Sequence, residues 1–170
     1  GCLDRLDAVR WIEYVQKRLG EDCEIWLHGI SMGGATVLMT GGLELPSAVK
    51  GIISDCGFTS AWDVFASVLK DQYHLPAFPI LNIADKWVQD RAGYRLAQCN
   101  SACEVKKCQV PVLLIHGDAD NFVPSRMCRE IYDNCPGEKD ILIVHGAGHA
   151  ECFYKAKDQY EEKLTEFLEK

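Results

Sequence analysis

A chain of 170 residues is long enough for one domain with a sizeable core, and 48% hydrophobic with 25% charged residues excludes a disordered composition. No apolar run approaches the roughly 20 residues that a bilayer-spanning helix needs. A formal charge of -7 without a Lys/Arg cluster excludes the basic footprint of a nucleic-acid binder.

In chain order, residues 3 to 19 carry Leu6, Ala8, Val9, Ile12, Val15 and Leu19 at helical spacing, with Gly20 as the stop. That stripe predicts a helix packed on the face of a sheet. Glu24-Ile25-Trp26-Leu27 predicts a short buried strand, and Ala35-Thr36-Val37-Leu38-Met39 a helix ending at Gly41-Gly42. Between them stands His28-Gly29-Ile30-Ser31-Met32-Gly33-Gly34, a G-x-S-x-G turn. Glycines flank the serine at two positions on either side, because side chains there would collide in so sharp a strand-to-helix turn. The Ser31 hydroxyl is then left above the sheet, and the Met32 N–H is aimed where an oxyanion would form.

Residues 48 to 54 predict a second strand, followed by Asp55-Cys56-Gly57-Phe58-Thr59-Ser60. Asp55 reads as a loop or cap carboxylate, and Ser60 with Asp63 as a capping pair opening a helix. Two helical segments, 61 to 74 and 80 to 92, make an aromatic-rich excursion over about 61-98, read either as a small lid or as a plain crossover pair. Val110-Pro111-Val112-Leu113-Leu114-Ile115-His116 predicts a strand buried on both faces. After it come Gly117-Asp118-Ala119-Asp120-Asn121-Phe122-Val123-Pro124 and a helix from Ser125 to Asn134. The last strand, 140 to 145, runs into Gly146-Ala147-Gly148-His149, and an amphipathic helix closes the chain.

Helices alternating with strands predict an α/β fold with a parallel sheet and right-handed crossovers. Ser31, Asp55, Asp120 and His149 all follow strands, so they fall at the carboxyl edge of that sheet, where ligands bind. A serine needs a base to take its proton, and the base needs a carboxylate to orient it. Ser31, Asp120 and His149 offer these roles in that chain order. His28 and His116 end strands expected to be buried, and they are expected to satisfy local hydrogen bonds. His145 ends the last strand early, and His74 sits in the excursion.

The nine cysteines, at 2, 23, 56, 99, 103, 108, 128, 135 and 152, include no C-x-x-C pair. Odd count and irregular spacing argue against a disulfide framework and a zinc site, and for reduced thiols in a cytoplasmic setting. Cys128 and Cys135 suit a buried helical face.

His-Gly-Ile-Ser-Met-Gly-Gly, Leu-Leu-Ile-His-Gly-Asp-Ala-Asp-Asn-Phe-Val-Pro and Gly-Ala-Gly-His together resemble the α/β-hydrolase superfamily. The similarity is greatest to bacterial serine hydrolases of the esterase and prolyl-oligopeptidase-like branch. The resemblance implies a catalytic triad of Ser31, Asp120 and His149, with Asp118 a turn residue. It implies an ester, thioester or related acyl substrate cleaved through an acyl-enzyme, with no cofactor and no metal. It implies a partial α/β-hydrolase domain over 1-170, incomplete at the N-terminus, with about four parallel strands and flanking helices. The second oxyanion donor is then expected upstream of Gly1. The competing expectation is a catalytically silent fragment or binding module that keeps the fold. Nucleotide binding is disfavoured, because the glycines match neither G-x-G-x-x-G nor a P-loop.

Overall fold

The computed structural model describes residues 1–169. Its elements in chain order are α1 (Asp4–Leu19), β1 (Ile25–Ile30), α2 (Met32–Gly41), β2 (Val49–Asp55), α3 (Ala61–Asp71), α4 (Ile80–Ala92) and α5 (Ser101–Glu104). There follow β3 (Val112–Gly117), α6 (Ser125–Asn134), β4 (Lys139–Val144), α7 (Cys152–Lys155) and α8 (Lys157–Leu168). The four strands pair in parallel in the order β1-β2-β3-β4. A parallel sheet of four strands with flanking helices is as expected.

Strand alternation divides the core between two faces. Ile52, Val112 and Leu114 meet Leu38 of α2, Ala102 of α5, and Cys128 and Ile131 of α6 on one side. Ile53, Leu113 and Ile115 meet Cys152 of α7, and Tyr160 and Phe167 of α8, on the other. All six β3 residues are buried, which is why that strand reads as a continuous apolar run. Each of Val112, Leu113, Leu114 and Ile115 contributes about 1.5–3 kcal/mol by its burial.

Two expectations need correction. β1 is an edge strand, with β2 as its one neighbour in the sheet, so its residues are half-buried or exposed and not buried. His28 is accordingly exposed. In α1, Ile12 is the buried residue, while Leu6 and Leu19 stay exposed at 48% and 70%. The helix packs against α2, a narrower contact than a sheet face.

The excursion is pinched at its base by an antiparallel bridge between Ser60 and Asn100 and by the Ala61 N–H donating to Cys99 O at 2.9 Å. Ser60 caps α3 by accepting from the Asp63 N–H at 3.0 Å, as its spacing predicts. Ala61 and Val64 bury against Ala35, Phe58, Leu96 and Val123. All nine cysteines are free, and Cys128 and Cys135 are buried as expected. Among the described residues no helix is long and apolar enough to cross a membrane.

Candidate active site

The strand register sets the site. Ile30 pairs with Asp55, Asp55 with Ile115, and Gly117 with Val144, so the carboxyl ends of all four strands lie along one edge. Loops leaving this edge carry Ser31, Cys56, Asp120 and His149.

Ser31 sits between β1 and α2 with φ 55 and ψ -114, a conformation that non-glycine residues rarely adopt. Its N–H donates to Asp55 O at 2.8 Å. The glycines around it are not equivalent. A Cβ on Gly29 would stand 2.2 Å from Gly33 O, and one on Gly34 would stand 2.7 Å from Ser54 Oγ. A Cβ on Gly33 would meet nothing within 4 Å. Collision therefore explains the glycine two places before Ser31, while the one two places after it is not required for space. Met32 opens α2, so its N–H is among those a helix leaves without an intrahelical acceptor.

His149 Nε2 lies 2.8 Å from Ser31 Oγ, and its Nδ1 lies 2.7 Å from Asp120 Oδ2. The other carboxylate oxygen of Asp120 accepts the N–H groups of Phe122 and Val123 at 2.9 and 2.8 Å. His116 is fully buried with Nε2 2.8 Å from Val123 O and 3.3 Å from Asp120 Oδ2. Burial alone would raise the Asp120 pKa. The hydrogen bonds from His116, His149 and the two N–H groups outweigh it and hold the carboxyl well below the usual carboxylate range. His149 is pushed up to about 10, first by its bond to Asp120 and then by Cys56, against a smaller opposing effect of burial.

Ser31, His149 and Asp120 are thus brought together in one hydrogen-bonded chain. Asp118 is not part of it. Its carboxylate accepts from the Gly146 N–H at 2.7 Å and pairs with His145 Nδ1 at 2.8 Å, out on the surface. Asp55, expected in a loop or cap, is the buried last residue of β2. The Tyr160 hydroxyl donates to it at 3.2 Å and also lies 3.2 Å from His28 Nε2. Burial raises the Asp55 pKa against that hydrogen bond.

Cys56 was not singled out by the sequence. Its Sγ, one oxygen of Asp120 and one ring nitrogen of His149 lie within 4.8 Å of one another. The available signal was its position one residue past a strand end, at the edge that carries the other loops.

Beside Ser31 lies a cavity of about 300 Å³ lined by Met32, Phe58, Ala61, Val64, Phe65 and Phe122 among others. Its lining contains no charged side chain. Phe122 also packs its ring 5.0 Å from that of His149.

Known proteins share this architecture. The Bacillus subtilis protein YqkD, itself uncharacterized, is 28% identical over 169 residues, covering 99% of this chain and 55% of its own length. This chain therefore spans about half the length of that curated relative. Among solved structures, the Pyrococcus horikoshii acylaminoacyl peptidase aligns over 98% of this chain and 27% of its own, with TM-score 0.74 and 18% identity. A Pyrococcus furiosus esterase aligns over 98% of this chain and 62% of its own, with TM-score 0.71 and 17% identity. These likenesses establish the fold. The prolyl oligopeptidase family model matches residues 4–170, a span that takes in the serine turn and both partner loops, and the chain belongs to that family of α/β-hydrolases.

Proposed function

We propose that this chain carries the catalytic machinery of a serine hydrolase that cleaves an ester, thioester or related acyl bond. The observation that carries the reading is the unbroken chain from Ser31 Oγ through His149 to Asp120, with contacts of 2.8 and 2.7 Å. Ser31 Oγ attacks the acyl carbon as His149 Nε2 takes its proton, and the electron pair of the C=O bond moves to oxygen. The Met32 N–H donates to that oxyanion. Collapse expels the leaving group, which takes the proton from His149, and leaves the acyl group on Ser31. Water then repeats the sequence, again with His149 as base, and frees the acid. Asp120 stays ionised throughout and stabilises the imidazolium. No cofactor enters these steps.

The cavity supports an uncharged, apolar acyl group. Ser31 and Met32 line it and His149 does not. The nucleophile and the oxyanion donor both border the cavity, which supports it as the acyl side. Phe65 belongs to the excursion, which supports a lid role for residues 61–98. The nine free cysteines support a reducing, cytoplasmic setting. A fluorophosphonate probe should label the wild-type protein, and Ser31→Ala should remove the label. Undiminished labelling of Ser31→Ala would count against this function, and absence of labelling in the wild-type protein would favour a silent module.

A further inference from the structure

Among the described residues, one cluster brings three potential metal ligands within 4.8 Å of one another, and it contains a thiol that the hydrolytic steps leave unused. Cys56 is fully buried and has φ 45, in the left-handed region that a residue with a side chain rarely enters. Its N–H is tied to Ile115 O at 2.8 Å, which fixes the backbone at the end of β2. The strain is local and its effect is specific. It holds a sulfur within 4.8 Å of ligand atoms of His149 and Asp120.

We propose that Cys56, Asp120 and His149 form a site for a borderline-soft divalent cation, Zn²⁺ above all, whose occupancy shuts off Ser31. Thiolate, imidazole and carboxylate are the three ligand types that zinc takes, and three protein ligands leave a fourth position open. Ligand atoms of tetrahedral zinc lie roughly 3–4 Å apart, near the separations of up to 4.8 Å found in this cluster. His149 offers the way in, because its side chain is 26% exposed while that of Asp120 is 0% exposed. Charge favours the ion as well: a carboxylate and a thiolate side by side in a buried place balance two positive charges.

Binding forms three metal–ligand bonds and sends the Cys56 thiol proton to solvent. An imidazolium gives up one of its two ring protons too. The consequence for Ser31 is the same whichever ring nitrogen binds. Metal on Nε2 occupies the proton-accepting atom, and metal on Nδ1 leaves the remaining proton on Nε2. In both cases the serine hydroxyl, 2.8 Å away, has no base.

The test compares chelator-treated wild-type protein with Cys56→Ala and Cys56→Ser, the second keeping the side-chain volume. Cys103→Ser controls for the exposed thiol. Zn²⁺ stoichiometry is read by equilibrium dialysis, and fluorophosphonate labelling is read against each protein's own metal-free rate. Wild type and Cys103→Ser should bind one more high-affinity Zn²⁺ than either Cys56 variant. Half-inhibition of labelling should need at least about tenfold more Zn²⁺ in the Cys56 variants, since disturbing even an outer-sphere partner of a metal costs that much. Equal stoichiometry and equal inhibition in all four proteins would overturn the site. Absence of labelling in zinc-free wild type would instead count against the serine reading, with the stoichiometry still testing the metal site.

Discussion

Asp118 and Asp120 stand two residues apart on one loop, in opposite settings. The Asp120 side chain is 0% exposed and holds His149, whereas Asp118 is 38% exposed and holds His145. Both carboxyls are pulled below the usual range, Asp118 by His145 before anything else. Geometry, not acidity, separates them: only Asp120 continues to Ser31. Asp120→Asn should therefore lower turnover about 10⁴-fold, as neutralising a triad acid does, and Asp118→Asn should cost far less. The pH profile gives a second readout. His149 is raised from 6.5 to about 10, so its free base, and with it hydrolysis, should grow as pH rises through the alkaline range. The reference value for histidine alone would place that rise near about pH 6 to 7. Asp120→Asn removes the largest cause of the shift, so the residual activity should rise at lower pH than in wild type. Linkage runs the other way for stability. A raised folded-state pKa stabilises fully below the unfolded value and is lost as pH climbs through about 10. Equal losses in the two Asn variants, or an unshifted profile, would contradict the assignment.

At the scale of elements, what was legible was what local pattern encodes. The run Val112 to Gly117 announces a strand buried on both faces, and Ser60 with Asp63 announces the start of α3. The same local logic misjudged only the burial of β1. Ile25, Trp26 and Leu27 look locally like any interior strand, whereas the incomplete resemblance already implied an open edge there, which the sheet order bears out. Asp55 was missed for a related reason. The hydroxyl that bonds it belongs to Tyr160 of α8, 105 positions away, and no short window contains both. The serine turn was legible as a motif, but its physical cause was only half right. The prediction that separates the two glycines follows from the contacts. Gly29→Ala forces a Cβ to 2.2 Å from backbone and should destabilise by about 1–3 kcal/mol or more. Gly33→Ala finds open space on a helix and should be neutral or stabilising by up to about 1 kcal/mol. Urea unfolding of both variants checks this, and comparable losses would contradict it.

Across the whole molecule, parallel strand order converts sequence distance into contact. Ser31 and His149 are 118 positions apart, and a shared sheet edge brings them to 2.8 Å. The chain order of serine, acid and histidine was legible because each follows a strand. The cavity was not, since Phe58, Val64, Leu96 and Phe122 come from four separate segments. The central claim is that Ser31 carries the acyl group during turnover. The most direct measurement is to incubate the protein with p-nitrophenyl butyrate, quench in acid within the first turnovers and map the adduct by peptide mass. A butyryl group on the peptide containing Ser31, absent from Ser31→Ala, is the predicted result. A butyryl group on another residue, or ester hydrolysis continuing undiminished in Ser31→Ala, would contradict it.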